Sequence, residues 1–132
     1  MQERVVAVTP RPTVEVELAG QRHTVSPLQI RVLRLLDLFE SKSAMAAFFG
    51  VQRSQPGQWA RGTTPVGEMA AVVFDLSFVW ERATEDQPDE AVRVWLMSPN
   101  GFLGERPLDA VAHGRVTEVV AAWDAYMEGS FA

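Results

Sequence analysis

The sequence has no cysteine, one tyrosine, two histidines and no apolar run longer than the six residues 69–74. Without cysteine there is neither a disulfide nor a thiolate metal site, so only histidine and carboxylate ligands remain open to a metal. The absence also fits a reducing compartment. The run 69–74 ends at Asp75 and is far shorter than the ~20 residues that cross a bilayer. The first ten residues carry acidic Glu3 and no long apolar stretch, so no secretory signal is expected. The expected setting is the cytoplasm, without membrane contact. What is present, in 132 residues, is 47% hydrophobic side chains with four Trp and seven Phe. That is the composition of one compact domain or two very small ones. Such a chain buries roughly two thirds of the surface its unfolded form exposes, enough for a core without staples.

Charge is unevenly spread. The net value of −5 argues on its face against nucleic acid, yet residues 1–62 carry eight basic groups against five acids, and residues 63–132 four against twelve. A balance of +3 is therefore joined to one of −8, and asymmetry of this kind suggests two different partners. A solvated acidic surface with no partner is the alternative.

Val14, Val16 and Leu18 alternate with Glu15 and Glu17, the pattern of a half-exposed strand. Thr9-Pro10-Arg11-Pro12 separates it from Val5-Val6-Ala7-Val8, which is expected to pair with it as a loose hairpin or to remain a free arm. At Ser26 the period becomes helical. Ser26-Pro27-Leu28-Gln29 supplies an N-cap, proline at the first helical position and the glutamine of a capping box. Leu28, Val32, Leu35, Leu36 and Phe39 then share one face of a helix over 27–40. A second helix is expected after Ser43 over 44–49, stopped by Gly50. A third is expected between Ser54 and Gly62. Thr64-Pro65 is expected to cap a long fourth helix with apolar Val66, Met69, Val73, Phe74, Leu76, Val79 and Trp80 on most sides. Such a helix is expected to be largely buried, at the centre of the fold or in a dimer interface. Residues 84–88 form the best internal boundary. Pro88 opens a fifth helix, which Ser98-Pro99-Asn100-Gly101 ends. A short helix over 107–113 and a last one over 115–128 complete an all-α chain.

Two short helices around Gly50 meet the requirements of a helix-turn-helix: small Ala46 at the crossing, glycine in the turn, Trp59 as an anchor. In that frame Gln52, Arg53, Ser54, Gln55, Gln58 and Arg61 point outward. Glutamine and arginine can bond adenine and guanine edges bidentately, and arginine can also hold phosphate. Pro56 and Gly57 stand against this. Proline is tolerated in a first turn, but glycine costs about 1 kcal/mol relative to alanine. A helix-turn-helix kept only as scaffold is the alternative.

Other constellations carry no chemistry. Residues 57–64 imitate the spacing of a phosphate-binding loop but have threonine in place of its lysine and no strand before it. His23 and His113 lie far apart. Asp109 and His113, four apart, are expected to pair at a helix end. Asp86, Asp89 and Glu90 sit where acids complement a helix start. No serine occupies a nucleophile elbow, so no catalytic activity and no cofactor are expected.

The segment Val94-Trp95-Leu96-Met97-Ser98-Pro99-Asn100-Gly101-Phe102-Leu103-Gly104-Glu105-Arg106-Pro107-Leu108-Asp109 closely resembles the toxin-binding domain of the Xre/MbcA/ParS family of antitoxins. The likeness continues through Gly114, Val116, Val119 and Val120 to residues 128–132. Upstream, residues 58–65 are similar to the end of the family's helix-turn-helix, and residues 1–22 match no part of it. Glu105-Arg106 departs from the family's small or glycine-rich step. The resemblance implies the antidote of a type II toxin–antitoxin pair, whose partner is a RES-domain toxin that degrades NAD. It implies a C-terminal domain that obstructs the toxin's NAD pocket and an N-terminal domain that dimerises and binds the operon's promoter DNA. An acidic C-terminal half suits a partner whose pocket holds an anionic dinucleotide. Occlusion needs an ordinary interface of about 1,600 Å² with aromatic anchors. Tyr126, Met127, Phe131 and the carboxylate of Ala132 are candidates to enter the pocket, with Asn100, Phe102 and Arg106 at its rim. Trp95, Trp123 and Leu103 are expected in the core.

The expected organisation is an N-terminal arm over 1–22, an Xre-like helix-turn-helix domain over 23–84 and a toxin-binding domain over 85–132. A regulator of genes unrelated to a toxin, dimerising through its C-terminal region, is the competing expectation.

Overall fold

The computed structural model describes residues 14–18 and 21–129, with side chains from residue 26 onward. The fold is all-α. Seven helices follow a short hairpin of β1 (Val14–Leu18) and β2 (Gln21–Val25), antiparallel with Val16 opposite His23. The strand expected over 14–18 is thus present and pairs with the segment that follows it; the expected pairing with residues 5–8 lies outside the described residues.

Helix α1 (Pro27–Phe39) starts as its sequence dictates. The Ser26 hydroxyl accepts the Gln29 amide N–H at 3.1 Å, and Pro27 occupies the first turn, where no N–H is needed. Gln29 is used differently from a capping-box residue. Its side-chain amide donates to Ala60 O at 2.7 Å, tying the end of a later helix to α1. Glu40 then turns the chain at φ 65°, a left-handed conformation rare for a residue with a Cβ. Helix α2 (Lys42–Phe49) begins two residues earlier than expected, because Ser41 and not Ser43 is the cap: its hydroxyl accepts the Ala44 N–H at 3.0 Å. Gly50, at φ 68°, closes it with bonds from its own amide to Ala47 O and from Val51 N to Ala46 O. Helix α3 (Gln55–Ala60) follows, and Ser54 before it makes no side-chain cap.

Helix α4 (Gly67–Asp86) is the axis of the molecule. It packs on α1 along one side and on α5 (Asp89–Met97), α6 (Pro107–Ala112) and α7 (Val116–Met127) along others. Its N-cap position is Val66, whose side chain makes no cap. Val73, Leu76, Val79, Trp80 and Ala83 are buried in one continuous cluster that runs from Val32 in α1 to Trp123 in α7. Each fully buried side chain of this size contributes about 1.5–3 kcal/mol of transfer free energy. Residues 84–88 hold the end of α4 and the turn into α5, and the core passes across them. The expectation that α4 is largely buried holds for only one side of it. Val66 is 76% exposed, and Met69, Phe74 and Phe78 are also open to solvent, because no other helix covers that flank.

Arg93 of α5 fastens the late helices to the first one. Its guanidinium donates to Asp37 O from Nη2 (2.7 Å) and Nε (3.1 Å) and to Leu38 O (3.3 Å), while lying over the Trp80 ring at 5.6 Å. The last carbonyls of a helix lack intrahelical donors, and here an arginine distant in sequence supplies them.

Candidate nucleic-acid and protein interfaces

Helices α2 and α3 pack on each other across the turn at residues 50–54. Ala46 is buried, and Trp59 is 2% exposed with its ring edge-on to Phe49 at 5.4 Å. Phe49 also meets Phe48 and Phe39, so the short α3 is held by an aromatic cluster rather than by its own length. Gln52, Arg53, Ser54, Gln58 and Arg61 are exposed, as the frame requires, and Gln55 is half-buried. Pro56 and Gly57 face inward.

The C-terminal candidates divide. Tyr126 is 47% exposed and stacks on Trp95, with ring centroids 6.4 Å apart; Trp95 in turn meets buried Trp123 edge-on at 5.0 Å. Phe102 is 60% exposed. Together with Val94 and Met97, which the sequence did not single out, these residues put aromatic and aliphatic surface on α5, α7 and the loop between α5 and α6. The signal for the missed pair was present: they stand i, i+3 on α5, opposite buried Val92 and Leu96. Trp123 and Leu103 are core residues, and Trp95 is half-buried at its edge.

Other expected contact residues serve the fold. The Asn100 side-chain carbonyl accepts from the amides of Phe102 (2.9 Å) and Leu103 (3.0 Å), shaping the loop that presents Phe102. Met127 is half-buried against the core and receives a long bond from the Gln87 amide. Arg106 is engaged bidentately by Asp109, at 2.8 and 2.9 Å. That contact holds the Asp109 carboxyl below its ordinary range and raises the guanidinium. The pairing of Asp109 with His113 is therefore replaced. His113 bonds Glu105 at 2.8 Å, and Glu105 also accepts from Arg115, whose Nη1 reaches Leu103 O. A permanently charged, forked guanidinium three residues away outcompetes an imidazole for one carboxylate. Phe131 and Ala132 lie outside the described residues.

The acids near residue 86 also differ from expectation. Asp89 and Glu90 occupy the first turn of α5, but Asp86 ends α4 and accepts the Trp123 indole N–H at 2.9 Å. Arg82 and Asp124 form a bridge at 2.8 Å beside it, which raises the Arg82 guanidinium. Among the described residues no three His, Asp or Glu side chains are grouped to hold a metal ion. Among the described residues no helix is long and apolar enough to cross a membrane. Compared with protein-family models, curated proteins and solved structures, the chain gives no match.

Proposed function

We propose that this protein is a two-partner binding protein, the antitoxin of a type II toxin–antitoxin pair. Its C-terminal surface covers the NAD pocket of a RES-domain toxin, and its α2–α3 pair binds promoter DNA as a homodimer. The observation that carries this reading is the joining of two unlike surfaces by one core. Exposed Gln52, Arg53, Gln58 and Arg61 lie on α2–α3, and exposed Phe102 and Tyr126 lie in the acidic half. Exposed aromatic side chains set on a rigid, satisfied scaffold are the usual anchors of a protein interface. The cytoplasm is the proposed location.

The test is co-expression with a RES-domain protein, scored by co-purification, growth and cellular NAD. The expected result is a stable complex and restored NAD. Sequence-specific DNA binding without any such complex would support the competing reading, a regulator that uses its C-terminal region to dimerise.

A further inference from the structure

Gly57 looks like a defect in a recognition helix, and its surroundings give it a use. A Cβ built on it would stand 3.4 Å from Arg61 Nη1 and 3.7 Å from Lys42 Nζ. The two charged nitrogens, each measured from that one point, are thus no further apart than the sum of those distances. Lys42 is the single lysine of the chain and the first residue of α2. Both side chains stretch over the bare glycine, and Gly57 is buried beneath them. Every other arginine with described side chain except Arg53 is bonded: Arg31 to Ser77, Arg34 to Glu81, Arg82 to Asp124, and Arg93, Arg106 and Arg115 to carboxylates. Lys42 and Arg61 have no carboxylate or hydrogen-bond partner among the described residues.

Two like charges held this near repel, and among the described residues no acid is paired with either of them. An oxyanion accepting a hydrogen bond of about 2.8 Å from each nitrogen removes that repulsion and spans the gap. A side chain at position 57 would stand against both cations and press them aside; glycine lets the two converge over the backbone.

We infer that Lys42 and Arg61 form a clamp over Gly57 for a single phosphate group of the backbone of duplex DNA. The inference rests on the proposed DNA-binding role of α2–α3 and adds to it a residue that base-reading logic does not select. One phosphate is shared by two cations, so the clamp positions the helix pair on the duplex and carries no sequence information itself.

The experiment measures binding of the full chain to promoter duplex over a range of salt, for wild type, Lys42→Ala, Arg61→Ala and the double variant. Each single variant is expected to lower the slope of log affinity against log salt by about one, and the double variant by no more than that, because one phosphate is lost in every case. A loss of about two in the double variant, or none in the singles, overturns the clamp. Acylation of the sole lysine by an amine-reactive reagent gives an independent readout: duplex is expected to protect Lys42, and full reactivity in the complex is a contrary result. A titration with inorganic phosphate, read from the Gly57 amide resonance, separates the two proposals. Phosphate shifts that vanish in the double variant, with no duplex binding by wild type, keep the anion site and reject the DNA role. Duplex binding that Arg53→Ala weakens but Lys42→Ala and Arg61→Ala leave unchanged keeps the DNA role and rejects the clamp.

Discussion

Arg93 shows how much one side chain can join, and why sequence did not point to it. Besides Glu90 and Glu40, its partners are backbone carbonyls of α1, more than fifty residues earlier, and a backbone carbonyl carries no residue identity to be read. With its side chain only 16% exposed, Arg93→Ala removes charge-assisted bonds and the contact with Trp80 together. The expected loss is about 2 kcal/mol in urea unfolding, with Arg93→Lys recovering only part of it. Asp109 offers a test in pH. Arg106 holds its folded carboxyl below the ordinary value, so the ionised form favours the folded state. That contribution is complete above the ordinary carboxylate range and disappears as pH falls through the lowered folded value. Wild type is therefore expected to melt above Asp109→Asn at neutral pH, with the two curves converging in acid. A gap that persists at the acid end would show that the pair acts through packing.

At the scale of elements the sequence was most legible where local chemistry decides. Proline, glycine and the apolar period placed most of the helices within about two residues of their bounds, because caps and faces are written in neighbouring residues, whereas α4 runs on to Asp86, into the boundary expected at 84–88. The misassigned details are long-range choices: Gln29 bonding Ala60 and Asp86 bonding Trp123. Helix α4 is the instructive case. Apolar residues on most of its sides signal burial, yet how many neighbours a helix has is decided by the whole fold. Phe74 and Phe78 remain 41% and 50% exposed, and Arg31 lies over the Phe74 ring at 4.9 Å. If the proposed homodimer forms through this flank, the double variant Phe74→Glu, Phe78→Glu is expected to sediment as a monomer with the helical content of wild type. A dimer of unchanged affinity would place the contact elsewhere. Gly57→Ala belongs to the same scale. It should raise stability by up to about 1 kcal/mol, since alanine is the better helix former and its methyl would meet only flexible side-chain ends. It should also weaken duplex binding by crowding the space between Lys42 and Arg61. Higher stability with unchanged DNA affinity would mean that the glycine serves no anion.

For the whole molecule, the −5 net charge hides a division that the fold keeps. The five basic residues among the described side chains of the first half lie on α1 and α2 or flank α3, all but Arg31 exposed. The late helices carry the acids. Both surfaces stand on one continuous core, so neither is a separate module that can be lost without cost to the other's support. Side chains outside that core can still be changed independently. Phe102→Ala with Tyr126→Ala removes two exposed rings while leaving Trp123, Leu103 and the Asn100 loop bonds in place. Anchors of this type are worth about 2 kcal/mol or more each, so toxin affinity is expected to fall at least about 30-fold, with neutralisation failing and duplex binding intact. The double variant of Lys42 and Arg61 is expected to do the reverse, binding duplex more weakly and still restoring NAD in cells that carry the toxin. Additivity is the general rule for sites that share no partners, and opposite, non-overlapping losses in the two variants are what a two-partner protein requires. If the aromatic double variant instead loses DNA binding and keeps neutralisation, the C-terminal surface is a dimer contact for a regulator.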